Sequence, residues 1–555
     1  MMDATRHGRF RLAAILSICM LALAVAGCGG SDGDRGKAGA DGSDGIDGVD
    51  GSDGAIGLSC WDLNENGVPD FPDEDTNGDG VIDVNDCRLA LPPLGDADAL
   101  HKAYFADNEY EGTGTCLTCH GKIGDELLTT GHWNWAGLAE NVEGFEDEVH
   151  GKVDFINNFC IAVPTNEGRC TQCHIGYNYA DSSFDFSNPE NLDCLVCHDQ
   201  TGTYAKDPLT AGNPVASVDL QAVASSIAQD GGIPSRKNCM ACHAKAGGGD
   251  NVKHGDLSTD LIATTREYDV HMGTDSMDMD CVACHDVARL EDGTLASHGI
   301  GGMPFHSIEE GDMQQCTDCH GDRTDIHEGS SVADIVDGHD RLACQVCHVP
   351  EIARKVSTKV EWYWEDAGQD IDPIPVDPDT GRPTYDKKKG TFVWKNNVRP
   401  ALRYHNGTWT KTIMNVNDQY TETPVVLSEP VGDYSEPDAM IYPFKKMIGN
   451  QVADANNKTM LVPHLFGMKG GENPYWGKFD WDLALQDGAA YTGQTYSGGY
   501  EFVDTVMYLS VNHEVAPSEE AWGMDGNCGD CHGGSQIDWE GLGWDDDPIR
   551  GGSRP

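Results

Sequence analysis

The segment Cys116-Leu-Thr-Cys119-His120 is the first of eight Cys-x-x-Cys-His motifs in a chain of 555 residues. Two thiols at this spacing form thioethers to one haem, and the histidine that follows binds the iron as proximal ligand. A single motif also fits a zinc-binding pair or a redox dithiol. Eight copies, each ending in histidine, argue strongly against both alternatives and predict eight covalently attached c-type haems. The other seven motifs contain Cys170, Cys173, His174; Cys194, Cys197, His198; Cys239, Cys242, His243; Cys281, Cys284, His285; Cys316, Cys319, His320; Cys344, Cys347, His348; and Cys528, Cys531, His532.

The composition also points to haem in the interior. Hydrophobic residues make up 39% of the chain and glycine occupies 67 positions, so aliphatic side chains alone would fill the core poorly. Haem groups would supply the missing apolar volume, and short helical turns and loops suffice between attachment sites. We therefore predict a mainly α fold with extensive irregular structure and few short strands, forming one octahaem body over residues 94–555.

The stretch 349–527 separates the seventh attachment motif from the eighth. It is rich in aromatic residues and turns, and Gly390-Thr-Phe-Val-Trp394 has the composition of a strand. We predict that this stretch is a haem-free lobe of mostly irregular structure that closes over the haems. The eighth motif must then fold back onto the others.

The N-terminal residues have the composition of an export signal. Arginines precede an apolar stretch, 12–26, that is too short for a membrane span. Val25-Ala26-Gly27-Cys28 resembles the bacterial lipobox, which predicts a signal peptide over 1–27 and a lipid on the Cys28 sulfur. Gly29 favours an outer-membrane lipoprotein facing the periplasm or the cell exterior. An ordinary signal peptide with a chance cysteine is the alternative, and both export the chain.

Residues 28–59 form an acidic tether in which glycine recurs at every third position from Gly33 to Gly57. A collagen triple helix requires this period, because only glycine fits at its axis. The run is short and lacks proline, so a flexible linker is at least as good an interpretation. Either structure would hold the haem body away from a membrane.

Residues 60–93 contain two loops with the spacing of calcium-binding sites. Oxygen-bearing side chains recur at the ligand positions of each loop, with a glycine for the tight turn. Cys60 and Cys87 bracket both loops, and a disulfide between them would close the module. The alternative is an acidic linker whose side chains only favour turns. The predicted calcium ligands are Asp62, Asn64, Asn66, Asp70, Asp73, Asp75, Asn77, Asp79, Asp83 and Asp86.

The formal net charge of −55 restricts the partners. Nucleic acids and anionic membrane surfaces are bound by clusters of lysine and arginine, so this charge argues against both. It favours solubility and the choice of redox partners, such as other cytochromes or a quinol-linked electron donor. A small anionic substrate would require a locally positive pocket.

Twelve histidines remain when the motif histidines and His7 are set aside. Eight irons need at most eight distal ligands, so this count permits saturated haems throughout. A saturated haem transfers electrons, whereas a haem with an open or displaceable position binds substrate. The histidine count alone therefore does not establish a catalytic site.

Several local runs recur in one known family. They are Gly131-His132-Trp133-Asn-Trp135, Asn157-Asn-Phe-Cys160-Ile161, Gly247-Gly-Gly-Asp250-Asn-Val-Lys253-His254-Gly-Asp256 and Asn512-His513-Glu-Val-Ala-Pro517. Through these runs, the chain from about His101 to its end resembles the octahaem tetrathionate reductase family of c-type cytochromes. The tether and the calcium module lie outside the family's core pattern.

The resemblance implies one haem whose distal ligand is a lysine. It assigns this haem to the motif of His174, with Lys253 as ligand and with Asp250 and Cys160 in the same pocket. An amine must be deprotonated to bind iron, which burial favours, and this weaker ligand could yield to substrate. Asp250 would supply protons and Cys160 would place a thiol beside a sulfur substrate. The alternatives are a surface Lys253 and a Cys160 that is only a small buried hydrophobe.

For the other seven irons we favour one distal histidine each. His150, His298 and His306 are the nearest rivals, and the role of His405 stays open because the family more often has an aromatic residue there. The favoured distal ligands are His101, His132, His254, His271, His327, His339 and His513.

Three functions fit these features. We favour a terminal reductase that passes electrons through bis-histidine haems to the lysine-ligated haem. The resemblance suggests tetrathionate, nitrite or hydroxylamine as its substrate. The second is a non-catalytic electron conduit in the periplasm or outside the cell, which the lipid anchor, tether and calcium module favour. The third is an octahaem dehydrogenase that runs an oxidation.

Overall fold

A computed structural model describes residues 97–554, apart from 230–231, 286, 290–294, 301–312, 468–470 and 535. The pattern of contacts within the chain divides it into two units, residues 1–56 and 57–555. Every described residue belongs to the second unit. The predicted signal peptide, tether and calcium module, including Cys28 and all the predicted calcium ligands, lie outside the described residues.

Short helices contain most of the attachment motifs. Residues three apart lie on one face of a helical turn, so a single turn presents both motif thiols to the same side. Three motifs form 3₁₀ turns instead, at Thr171–Cys173, Cys281–Ala283 and Cys528–Asp530. The described helices are α1 (Ala97–Asp107), α2 (Thr113–Leu127), α3 (Glu167–Cys170), α4 (Leu195–His198), α5 (Leu220–Ser226), α6 (Arg236–Met240), α7 (Cys316–His320), α8 (Arg323–Ile326), α9 (Ala333–Gly338), α10 (Cys344–His348), α11 (Tyr475–Lys478) and α12 (Trp481–Thr492).

A nine-stranded mixed sheet is built from the second half of the chain. The strands are β5 (Thr358–Tyr363), β6 (Tyr385–Asp386), β7 (Gly390–Lys395), β8 (Ala401–His405), β9 (Trp409–Lys411), β10 (Val425–Pro430), β11 (Met440–Asp454), β12 (Thr459–Met460) and β13 (Tyr500–Ser510). Their order is β6-β7-β5-β11-β13-β10-β9, with β8 and β12 also paired to β11. The long strand β11 is antiparallel to β13 and parallel to β5. Two hairpins lie outside this sheet, β1 (Ala136–Leu138) with β2 (Val149–Gly151) and β3 (Val287–Arg289) with β4 (Leu295–Ile300).

The sheet shows that the predicted fold class, mainly α with few short strands, is wrong. The lobe at 349–527 is also not mostly irregular, although the strand expected at Gly390–Trp394 is confirmed as β7. Strand β7 shows the alternation of a half-buried strand, but β11 is buried along most of its length. A strand covered on both faces lacks the two-residue period that reveals strands in a sequence.

The sheet packs directly against the part of the chain that contains the attachment motifs. Phe159 and Val252 from that part share one apolar cluster with Trp362, Trp364 and Met447 of the lobe. Phe159 precedes Cys160, and Val252 precedes Lys253. The lobe therefore forms the wall behind the residues that the resemblance places in the substrate pocket.

Candidate haem and substrate site

Six motif histidines each face a second histidine ring. The ring centroids lie 5.8–6.2 Å apart, and one metal ion bonded to a nitrogen of each ring at about 2 Å would fit between them. Six of the seven favoured distal histidines thus meet a motif histidine, an arrangement that fits haem iron. The pairs are His101–His120, His132–His243, His271–His320, His513–His285, His327–His348 and His339–His532.

The outer nitrogens of several of these rings are already hydrogen-bonded. Nδ1 of His327 and of His339 donates to the backbone carbonyl oxygen one turn earlier, at 2.6 and 2.8 Å. Nδ1 of His532 lies 2.8 Å from Oδ1 of Asp547. A proton held on Nδ1 fixes the ring orientation and leaves Nε2 for a metal. These contacts therefore fix the orientation of three rings and leave their Nε2 atoms available for iron.

The remaining histidines are placed differently. Among the described residues, His254 faces no motif histidine, and burial together with Lys253 holds the pKa of His254 well below its usual range. His405 lies within an aromatic cluster, where burial lowers its pKa to about 4. The side chain of His298 and all of His306 lie outside the described residues. The assignments of these four residues stay predictions.

His150 is engaged by carboxylates rather than by another histidine. Its ring is buried on β2, with Nδ1 2.7 Å from Asp154 and Nε2 3.2 Å from Glu148. Both nitrogens therefore have anionic partners, which argues against His150 as a distal ligand.

Thiols of different motifs lie side by side. The contacts link the first motif to the third, the second to the fourth, the fourth to the fifth and the sixth to the seventh. Haems attached at neighbouring thiols would be close to one another, as stepwise electron transfer requires. The thiol pairs are Cys116–Cys194, Cys173–Cys242, Cys239–Cys281 and Cys316–Cys344.

The second motif differs from the six paired ones. Nε2 of His174 donates to the carbonyl oxygen of Trp133 at 2.7 Å. The ring is enclosed by Trp133, Trp135 and Tyr179 at centroid distances of 4.9–5.4 Å, and burial lowers the pKa of His174 to about 3. No second histidine faces it among the described residues, so the assignment of Lys253 to this motif stays a prediction.

Lys253 lies on a firmly held loop beside this motif. Burial, aided by the positive charge of Lys152, lowers the pKa of Lys253 to about 7, against the opposing effect of the Cys173 thiol. The fully buried amine of Lys445 donates to the carbonyl oxygens of Val252 and Lys253 at 2.6 and 3.1 Å. Near neutral pH a large fraction of the Lys253 amine is therefore uncharged, the form that can bind a metal.

Asp250 and Cys160, the other two residues expected at this site, are held by different parts of the structure. Both carboxylate oxygens of Asp250 accept hydrogen bonds from Thr259, at 2.9 Å from its backbone nitrogen and 2.5 Å from its hydroxyl. Asp250 thus helps to hold the loop of Lys253. Cys160 packs against the apolar cluster of the sheet and lies near the second-motif thiol of Cys170.

Two lysines at this site were not found by sequence analysis. Lys152 has its amine 5.1 Å from the ring of Trp135, which contacts His174. Lys445 lies in the middle of the buried strand β11. The sequence does contain a sign of this burial, the pair Lys445-Lys446 inside an apolar run. Neighbouring side chains on a strand point to opposite faces, so one of the two lysines must face inward.

Fold and site together define a multihaem c-type cytochrome. The bacterial cytochrome c family matches residues 359–535. The solved octahaem cytochrome c of Shewanella oneidensis is 36% identical with a TM-score of 0.70, over 81% of this chain and 98% of that one. An uncharacterised protein of Archaeoglobus fulgidus is 27% identical over 234 residues, 34% of this chain and 76% of that protein. The chain therefore belongs to the octahaem c-type cytochromes and binds haem c covalently for electron transfer.

Among the residues that the structure describes, no helix is long and apolar enough to cross a membrane.

Proposed function

We propose that this exported cytochrome is a terminal reductase, with Lys253 as the distal ligand of the haem attached at Cys170 and Cys173. The main support is the Lys253 amine, which lies near the Cys173 thiol. Burial lowers the pKa of this amine to about 7, which suits a displaceable ligand. This haem would supply electrons to a small oxidised compound, for which tetrathionate, nitrite and hydroxylamine are the candidates. The paired histidines would hold the haems that collect electrons from redox partners.

The surrounding residues have separate tasks in this proposal. The loop of Lys253 is anchored by Lys445 and by the contacts of Asp250 with Thr259, so the amine can leave and return without loss of the loop. His174 would be the proximal ligand once its ring turns from the carbonyl of Trp133. The thiol of Cys160 would contact the substrate.

Replacement of the lysine tests this assignment. In the purified holoprotein, Lys253→Ala should convert one low-spin haem to high spin and abolish the oxidation of reduced viologen by all three candidate substrates. Lys245→Ala, at an exposed position of the same segment, is the matched control and should change neither. An unchanged haem spectrum in Lys253→Ala would contradict the ligand assignment.

A non-catalytic electron conduit is the second candidate. It is favoured by the six facing histidine pairs, since saturated haems transfer electrons without binding substrate. In that case all haems should stay low-spin in the presence of nitrite or hydroxylamine, and no turnover should appear. Those two results together would reject the reductase.

The domain organisation belongs to the same proposal. Residues 1–27 would be removed, Cys28 lipidated at the outer membrane, 28–59 would act as tether and 60–93 would bind calcium. Mass spectrometry of the purified protein should show a lipid-modified N-terminal Cys28. Calorimetric titration with calcium should show binding that is lost in Asp62→Asn/Asp75→Asn.

A further inference from the structure

Positive charge is concentrated around Cys160, in a chain whose net charge is −55. Four basic residues surround this region and are here called the cationic path: Arg169, Lys359, Lys388 and Lys389. Arg169 lies on α3, Lys359 on β5, and the other two lie on the turn between β6 and β7. The path therefore spans the contact between the motif-bearing part of the chain and the sheet.

Aromatic rings hold three of these cations. The amine of Lys359 lies 3.9 Å from the ring centroid of Trp362. The side chains of Arg169 and Lys388 both lie over Trp476, at 5.4 and 5.9 Å. An aromatic face attracts a cation without neutralising it. Burial holds the pKa of Lys359 well below its usual range, so Arg169, Lys388 and Lys389 carry the positive charge that the path offers to another partner.

The aromatic rings also connect the path to Cys160. Nε1 of Trp364 donates to the carbonyl oxygen of Phe159 at 3.1 Å, next to Cys160 in the chain. Trp364 stacks on Trp362 with a centroid distance of 5.2 Å, and Nε1 of Trp362 donates to the carbonyl oxygen of Lys389 at 2.7 Å. A chain of hydrogen-bonded and stacked groups therefore connects the segment of Cys160 to Lys389 through the buried rings of Trp362 and Trp364.

Exposure falls along the path from solvent toward the thiol. Lys388 is exposed, the Lys389 side chain is 17% exposed, Arg169 is half-buried and Lys359 is only 4% exposed. Burial raises the pKa of Cys160, while Lys389, Lys359 and Arg169 oppose this rise. The electrostatic influence of the three inner cations thus reaches the thiol itself.

We propose that the cationic path is the entry route for anionic substrates, with Lys388 and Lys389 as specificity-determining residues. This inference rests on the reductase function proposed above. Charges arranged along a low-dielectric channel raise the local concentration of an anion and its rate of arrival. A doubly charged sulfur oxyanion gains most from the path, nitrite gains less, and uncharged hydroxylamine gains nothing.

Alkylation of Cys160 tests the path without any turnover. In the mature holoprotein Cys160 is expected to be the free thiol. The other cysteines are expected to be bound to haem, joined in the predicted disulfide or lipidated. Iodoacetate is negatively charged and iodoacetamide is neutral, so the ratio of their reaction rates at Cys160, measured by mass spectrometry, reports the local potential. The double variant Lys388→Gln/Lys389→Gln should lower this ratio about tenfold.

The neighbouring lysine provides a matched control. The amine of Lys387 is paired with Asp370 at 2.6 Å, so Lys387→Gln should leave the ratio unchanged. Within the part of the chain that the structure describes, the carboxylate paired with Lys389 is more distant, Asp386 at 3.7 Å. A wild-type ratio in the double variant, or a Cys160 that neither reagent reaches in the folded protein, would overturn the cationic path.

Kinetics separate this inference from the proposed function. The double variant should raise KM for tetrathionate about tenfold while kcat and the KM for hydroxylamine are retained. An equal change for hydroxylamine would contradict a route selective for anions. If no substrate is turned over by the wild type while the alkylation ratio still falls in the double variant, the reductase is refuted and the cationic path stands.

Discussion

The contacts of Lys445 predict that replacing this one residue will release the loop that presents Lys253. The Lys445 amine is fully buried and donates to the carbonyl oxygens of Val252 and Lys253 and to Oγ1 of Thr358 at 2.7 Å. Thr358 in turn donates to the carbonyl oxygen of Asn251 at 2.5 Å. Lys445→Met keeps the length of the side chain and removes all three donated hydrogen bonds.

The expected size of the effect follows from these contacts. A hydrogen bond from a charged donor contributes about 1.5–3 kcal/mol, and each buried acceptor left without a partner costs about 1–3 kcal/mol. Burial lowers the pKa of Lys445 to about 7, so removal of the amine also relieves part of its own desolvation. We therefore expect a net loss of about 3 kcal/mol in the free energy that holds the loop, or about a hundredfold in its opening equilibrium.

Amide hydrogen exchange measures this opening directly. In the Lys445→Met holoprotein, amides of residues 251–255 should exchange about a hundredfold faster, and one haem should show a partial high-spin signal in electron paramagnetic resonance. Lys446→Met, at the exposed neighbouring position on the same strand, is the control and should change neither. Wild-type exchange at 251–255 in Lys445→Met would refute the role of Lys445.

Three further outcomes are expected. Burial raises the pKa of Glu167 to about 7, against the opposing hydrogen bond from Tyr491. The protonated Glu167 therefore contributes to the free energy of unfolding below about pH 4.5. This contribution should fall by about 3 kcal/mol as the pH rises from about 4.5 to about 7. Glu167→Gln should remove this fall, and equal pH dependence of the melting temperature in both proteins would contradict it. Asp256→Asn removes the anion that lies 3.2 Å from Nδ1 of His513. Loss of this negative charge should raise the reduction potential of one haem by roughly tens of millivolts, as measured by spectroelectrochemistry. Unchanged potentials would count against this contact. His150→Gln should leave the haem spectrum unchanged, whereas a new high-spin signal would make His150 a ligand.

The haem chemistry could be predicted from the sequence because it depends on local spacing. In the motif of Cys116, two thiols and a histidine meet one haem within a single helical turn, so the pattern is visible in five residues. Lys253 was named only through a resemblance, and its buried position depends on Val252 and on the sheet. The distal histidines were predicted as one favoured ligand for each of the other seven irons, and the structure sets six of them against motif histidines.

The sheet could not be predicted, for a physical reason. Strand β11 is buried on both faces along most of its length, so its sequence shows little of the alternation that marks a strand, and its partners β5 and β13 are far away along the chain. Pairing between such distant segments depends on side chains from both, which no short window contains. The irregular lobe predicted for 349–527 was therefore wrong.

The sequence by itself determined that this chain attaches c-type haem at eight motifs, because thioether attachment requires only residues that are adjacent in the chain. Only the tertiary structure decided which distant side chains meet. It placed Lys445 under the loop of Lys253 and gathered the cationic path around Cys160, although the whole chain is strongly acidic. Long-range contacts and burial set the charge state and access of these groups, and neither is written in local sequence.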